Sequence, residues 1–136
     1  MLLDENQVSY LTSHGLGWLA TVTADGSPQN KPVGFSYNPD LGTIDIYGFN
    51  MGQSRKFRNV AANPRVAFVV DDAPGTGAAG MRFLEIRGLA ETAAGQAPPE
   101  GGTRPQIIRI RPRRVISWNI DAARPGLQAR DISTDS

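Results

Sequence analysis

The sequence predicts a mainly β chain in which six antiparallel strands close into a small barrel, accompanied by short helices. Three observations carry this expectation. At 136 residues the chain fits one compact domain, spanning 1–136, that buries about two-thirds of its unfolded surface. Fifteen glycines and ten prolines punctuate it, which favours tight turns over a helical bundle. Between those turns apolar and polar residues alternate with period two, the mark of half-buried strands.

The elements follow in order. Asp4 is placed to cap a short first helix, Val8 and Leu11 share one face of it, and His14-Gly15 ends it. In the first strand, over 18–23, Trp18, Ala20 and Val22 point one way, and Asp25-Gly26 turns the chain. A second extended run covers 29–37 and turns again over 38–42. Ile44 and Ile46 then alternate with Asp45 and Tyr47. The period changes at Phe57, Val60 and Ala61, giving a helix over 53–62 that stops before Asn63-Pro64. An apolar strand over 65–70, a glycine-rich loop and an alternating strand over 82–93 come next. A polar loop covers 94–105, and a last strand, over 106–118, bends at Pro112. The tail from 121 to 136 is polar and expected to be loose. The order is α-β-β-β-α-β-β-β, and consecutive strands joined by tight turns pair antiparallel.

Composition narrows the function classes. The chain has no cysteine, which removes disulfides, thiolate catalysis and zinc–thiolate sites and is compatible with a reducing cytosol. Residues 1–5 lack the basic and apolar regions of a signal peptide. No apolar run approaches the roughly 18 residues that cross a bilayer. The expectation is a soluble, cytoplasmic protein with no membrane partner. Net charge is +1, yet twelve of the fourteen cations are arginines, whose planar donors suit phosphate and carboxylate.

Two motifs point in different directions. Gly75-Thr76-Gly77-Ala78-Ala79-Gly80 matches the dinucleotide fingerprint G-x-G-x-x-G, but that mechanism needs a helix to start at the loop. Here the loop runs into the alternating stretch Arg82-Phe83-Leu84-Glu85-Ile86, so it reads as a hairpin loop. The segment Ser54-Arg55-Lys56-Phe57-Arg58 is more informative. Helix N-termini favour acids, because the macrodipole is positive there, and cations cost a few tenths to about 1 kcal/mol each unless an anion offsets them. Free amides, a serine hydroxyl and two or three cations make a phosphate site. The competing reading is a solvated basic face.

A second basic run, Arg109-Ile110-Arg111-Pro112-Arg113-Arg114, lacks the aromatic ladder of RNA readers, so nucleic acid is not the expected partner. The single histidine, His14, has no partner set for a Ser-His-Asp system and rules out a multi-histidine metal cluster. No metal site and no catalytic residue is assigned. If the chain is an enzyme, a bound cofactor carries the reaction. Trp118 either caps the core or stacks on a planar ring contributed across a subunit interface.

Taken together, three passages resemble the pyridoxamine 5′-phosphate oxidase-like split β-barrel proteins, in particular the actinobacterial branch that uses FMN or the deazaflavin coenzyme F420. They are Leu19-Ala20-Thr21-Val22 through Asp25-Gly26-Ser27-Pro28-Gln29, Ser54-Arg55-Lys56-Phe57-Arg58-Asn59 through Asn63-Pro64-Arg65-Val66, and Leu84-Glu85-Ile86-Arg87-Gly88-Leu89-Ala90. The resemblance implies a six-stranded split barrel that forms a homodimer with cofactor sites at the subunit interface. It implies that Lys31, Pro32 and Val33 line the cofactor ring, with Asn30 and Gly48 also binding cofactor. It places the phosphate at Ser54, Arg55 and Lys56, and brings Trp118 in from the partner chain. The C-terminal arginine and histidine features of true pyridoxamine phosphate oxidases have no match, so vitamin B6 oxidation is not expected. The function this implies is an oxidoreductase passing a hydride between coenzyme F420, or FMN, and a small organic substrate. Arg58 or Arg111 would suit the acidic tail of the deazaflavin. Rival readings are a non-catalytic flavin- or haem-binding module on the same barrel and an RNA-contacting basic barrel.

Overall fold

The computed structural model describes residues 2–48, 50–96, 100–102 and 104–132. Helix α1 (Glu5–Thr12) precedes strands β1 (Leu16–Val22), β2 (Pro28–Asn38) and β3 (Thr43–Tyr47). A 3-10 turn (Met51–Gln53) and helix α2 (Arg55–Ala62) lead to β4 (Arg65–Asp72), β5 (Arg82–Ala94), β6 (Gln106–Trp118) and β7 (Leu127–Asp131). The sheet runs β3-β2-β1-β4-β5-β6-β7, and β3 also pairs with β6. That extra pairing, Ile44 opposite Ile110 and Ile46 opposite Ile108, closes six strands into the expected barrel.

The seventh strand departs from the expectation of a loose tail. Strand β6 pairs with β3 along its first half and with β7, from Arg114 to Trp118, along its second. The change of partner follows the bend expected at Pro112. Gly88 of β5 faces Pro112 while Arg87 faces Arg114, which leaves Arg113 as the extra residue of a bulge. A side chain at Gly88 would collide with the Arg111 carbonyl oxygen, so this close crossing of β5 and β6 requires glycine. The freed Arg113 carbonyl accepts from the Ile132 amide at 2.7 Å. Strand β7 is short, and its residues alternate between exposed and half-buried, so it lacks the apolar alternation that marks the others. Residues 97–99 and 103 of the 94–105 loop, and 133–136 of the tail, lie outside the described residues.

Alternation builds the core. Leu19, Phe68, Val70, Leu84, Ile86, Ile108 and Ile110 turn inward and are buried. Trp18, Ala20 and Val22 do share one side, and it is the outside: Trp18 is 45% exposed whereas Gly17, Leu19 and Thr21 face in. The dinucleotide-like motif lies in the β4–β5 hairpin loop, closed by a bond from the Gly75 amide to the Gly80 carbonyl. A single 3-10 turn, Ala78–Gly80, stands where the dinucleotide mechanism needs a helix.

The two helices close opposite ends of the barrel. In α2, Ser54 caps the N-terminus by accepting from the Phe57 amide, so the helix starts two residues later than its apolar spacing indicates. Helix α1 carries a capping box between Asp4 and Gln7, with bonds of 2.8 and 2.9 Å. Tyr10 pins α1 to the barrel: its hydroxyl donates to Asp72 at 2.7 Å, and Arg82 grips the same carboxylate through two bonds while lying over the Tyr10 ring. His14 packs its ring on Tyr10. No helix among the described residues is long and apolar enough to cross a membrane.

The Arg82 guanidinium, reinforced by the Tyr10 hydroxyl and opposed by partial burial, holds the Asp72 carboxyl below its ordinary value of 3.8. A depressed carboxyl stabilises the fold above its unfolded pKa and loses that contribution as pH falls through the folded value. The thermal midpoint of the wild-type chain should therefore decline more steeply between pH 5 and pH 2 (roughly the window of carboxylate protonation) than that of Asp72→Asn. Parallel melting curves for the two proteins would refute this role.

Candidate functional site

The connection from β3 to β4 cannot be a hairpin, because β2 and β1 lie between those strands in the sheet. It crosses the open end of the barrel, and α2 fills that end by packing on β1, β5 and β6. This crossing brings the first turn of α2 beside the β1–β2 hairpin. A pocket of about 570 Å³ opens between them. Arg55 and Lys56 form one wall, and Gln29, Asn30, Lys31 and Pro32 of β2 form the other, over a floor of Leu19 and Thr21.

The pocket is set apart by its charge. Six arginines, Arg82, Arg87, Arg109, Arg111, Arg114 and Arg124, pair with carboxylates. Among the described residues no carboxylate comes within ion-pair distance of Lys31, Arg55 or Lys56. The first-turn amides of α2 at Arg55 and Lys56 have no partner inside the helix, so the dipole and three cations act in the same direction. Such a locus attracts an anion rich in acceptor oxygens. The second basic run is different. Arg109 is bound to the buried Asp45 through two bonds of 3.0 and 3.1 Å, and its pKa rises through that hydrogen bonding, against a smaller opposing effect of burial. Arg111 is held by Glu91 and Arg114 by Asp131.

Several residues singled out from the sequence meet here and others do not. Asn30, Lys31, Pro32, Arg55 and Lys56 line one pocket. Val33 is buried in the core at 4% exposure and does not line the pocket. Gly48 sits beyond β3 against Met51. Ser54 is engaged in capping: its hydroxyl donates to the Met51 carbonyl at 2.7 Å and accepts from Phe57. Trp118 lies at the end of β6, where its indole N–H donates to the Ala78 carbonyl at 2.9 Å, on the hairpin-loop side of the barrel. Arg58 reaches back to the Gln53 carbonyl at 3.4 Å.

Sequence reasoning missed Leu19, Thr21, Gln29 and Asn59. A signal existed for the last: Asn59 follows Arg55 by four positions and Lys56 by three, which places it on the same helix face. Thr21 and Gln29 face one another across the β1–β2 hairpin, a pairing set by the turn at Asp25-Gly26.

Fold and pocket together define a closed six-stranded barrel with a basic recess at one end. The chain belongs to the pyridoxamine 5′-phosphate oxidase family, whose model matches residues 3–125. It is 46% identical over 142 aligned positions to a 5a,11a-dehydrotetracycline/5a,11a-dehydrooxytetracycline reductase of Streptomyces rimosus subsp. rimosus, covering 99% of this chain and 96% of that one. Among solved structures it is similar to a haem-binding protein of Mycobacterium smegmatis, with a TM-score of 0.70 at 19% identity. The match covers 93% of this chain but spans only 57% of that protein's length, and at this identity it speaks for the fold alone. A protein described as an F420 reductase matches with a TM-score of 0.60 at 28% identity, covering 83% of this chain and 98% of that one. Family and reductase relative together support the oxidoreductase class.

Replacing Arg55 and Lys56 together with alanine should weaken binding of FMN or coenzyme F420 at least tenfold, about 1.4 kcal/mol. Without ligand the same change relieves repulsion between two cations and the helix dipole, so the unfolding midpoint should hold or rise slightly. Unchanged titration curves would remove the assignment of this pocket.

Proposed function

We propose that this chain is a reductase that binds coenzyme F420 through its phosphate and delivers a hydride to an electron-poor carbon–carbon double bond of a polycyclic substrate. FMN, which shares the ribityl phosphate, is the alternative cofactor. One observation carries the reading: three cations and a helix N-terminus converge, without acid partners among the described residues, on a recess large enough for a cofactor's phosphate end. The reductase relative and the F420 reductase at 28% identity support the reaction class and the deazaflavin.

The roles divide by position. Arg55, Lys56 and the first-turn amides of α2 would hold the phosphate, while Lys31 and the β2 backbone at Asn30 and Pro32 would flank the ring. When bound, the cofactor supplies the hydride; water supplies the proton that completes saturation of the double bond. The chain itself binds, orients and shields. The substrate class is taken from the reductase relative, whose named substrates carry a 5a,11a double bond within a fused ring system.

A homodimer is the second part of the proposal. The outer face of β1, β4 and β5 carries a hollow of about 410 Å³ bordered by Trp18, Met81 and Phe83. Trp18 and Met81 are 45% and 38% exposed and border one hollow, where they offer apolar surface to a partner. Asn30 borders this hollow and the anion recess alike, so a second copy seated here would close over the ring end of the cofactor.

The test begins with absorption titrations of the protein against each cofactor, followed by mixing with reduced F420 and 5a,11a-dehydrotetracycline. Binding of F420 and substrate-dependent return of its oxidised absorbance are expected; binding of neither cofactor would end the proposal. By sedimentation velocity, Trp18→Glu should convert a wild-type dimer to monomer. A monomeric wild type would exclude the assembly.

A further inference from the structure

Behind the anion recess lies a buried polar side chain that docking of the helix does not account for. Asn59 is 7% exposed, and α2 is already anchored by Val60 and Phe57 in the core. The Asn59 amide nitrogen donates two hydrogen bonds out of the helix, each 3.0 Å: one to the Thr21 hydroxyl oxygen and one to the Gln29 side-chain oxygen. Both acceptors line the recess. An apolar residue would serve docking without the desolvation of a carboxamide.

The consequence lies in what these bonds leave free. A hydroxyl whose oxygen accepts from Asn59 still has its own proton to give. A glutamine whose oxygen is held by Asn59 turns its NH2 group the other way. Among the described residues neither donor meets an acceptor. Thr21 is only 2% exposed, so an unused donor there is costly unless something in the recess accepts it. Two residues along β2 from Gln29, Lys31 lines the same recess.

We propose that Asn59 is a positioning residue: by occupying the acceptors of Thr21 and Gln29, it presents their donors to the oxygens of the phosphate-bearing ligand held by Arg55 and Lys56. This rests on the cofactor reading above. It adds two ligand-contacting side chains, Thr21 and Gln29, and one that acts through them. A lining of donors and cations selects for a group that only accepts, which describes phosphate and not the hydroxyl-rich chain next to it.

The experiment compares FMN with riboflavin, which differ by the phosphate; F420 and its phosphate-free deazaflavin fragment serve if FMN does not bind. Fluorescence titrations on wild type, Gln29→Met, Thr21→Val, Asn59→Leu and Asn59→Asp are read beside ligand-free melting curves. Gln29→Met and Asn59→Leu should each lower affinity for the phosphorylated ligand about fivefold to tenfold. Affinity for its phosphate-free counterpart should change less than twofold. Their double variant should bind no more weakly than the worse single, because both act along one path. Asn59→Asp can only accept, which reverses both relay bonds. It should melt no lower than Asn59→Leu yet bind the phosphorylated ligand more weakly.

Three results would overturn the proposal: Asn59→Leu within twofold of wild type, equal losses with and without the phosphate, or multiplied losses in the double variant. Should Asn59→Leu fail to fold, unchanged affinity in both Gln29→Met and Thr21→Val has the same force. Failure of the cofactor reading is separate, since the wild type would then bind neither phosphorylated ligand.

Discussion

Everything at the site depends on a crossing that the sheet order makes unavoidable. Strands β3 and β4 are neighbours in the chain but not in the barrel, and the segment between them must pass the ends of β2 and β1. A helix laid across that opening covers core that would otherwise meet water. It also delivers its N-terminal turn to the β1–β2 hairpin, where Gln29 and Lys31 stand. Closure of the barrel by Ile44 with Ile110 and Ile46 with Ile108 makes the opening a rim and not an edge. The recess is thus a by-product of plugging a barrel, put to use by the residues at its lip.

The distribution of arginine follows the same division. Arg109 and Asp45 face each other across the closing strands, and their pairing is partly buried, where breaking one partner would strand the other. The exposed pairs, such as Arg114 with Asp131, contribute little to stability. Pairing takes half of the twelve arginines out of anion binding. Lys31, Arg55 and Lys56, which have no carboxylate partner among the described residues, meet at one recess, so a chain of nearly neutral net charge still presents a local positive field.

Much of this was legible in the sequence because it is local. The alternation of Val66, Phe68 and Val70 announces β4, and the Asp4 cap and the basic start of α2 can be read without knowing any partner. The glycine motif at 75–80 was separable from a dinucleotide site by the strand that follows it. The illegible parts are those that depend on distant neighbours. Asn59 meets Thr21 and Gln29 across 38 and 30 positions, and nothing nearby announces either contact. Arg111 looked available because its partner Glu91 lies 20 positions away, on the neighbouring strand. Alternation put Trp18 with Ala20 and Val22 but could not say which side was inward. Strand β7 escaped because its stability comes from the bulged second half of β6, not from its own composition.

The bond that joins the two ends of the described chain has a kinetic meaning. Arg130 on β7 donates to the Leu2 carbonyl at 2.7 Å, across 128 positions, and to Gln7 at 3.0 Å, across 123. Loop-closure entropy makes such contacts the last to repay their ordering. Helix α1 can form its own capping box early, yet its tie to β7 must wait for β6 to bend and β7 to pair. The tie between α1 and β7 thus lies outside the closure made by β3 and β6, and loop-closure entropy makes it a late contact in folding.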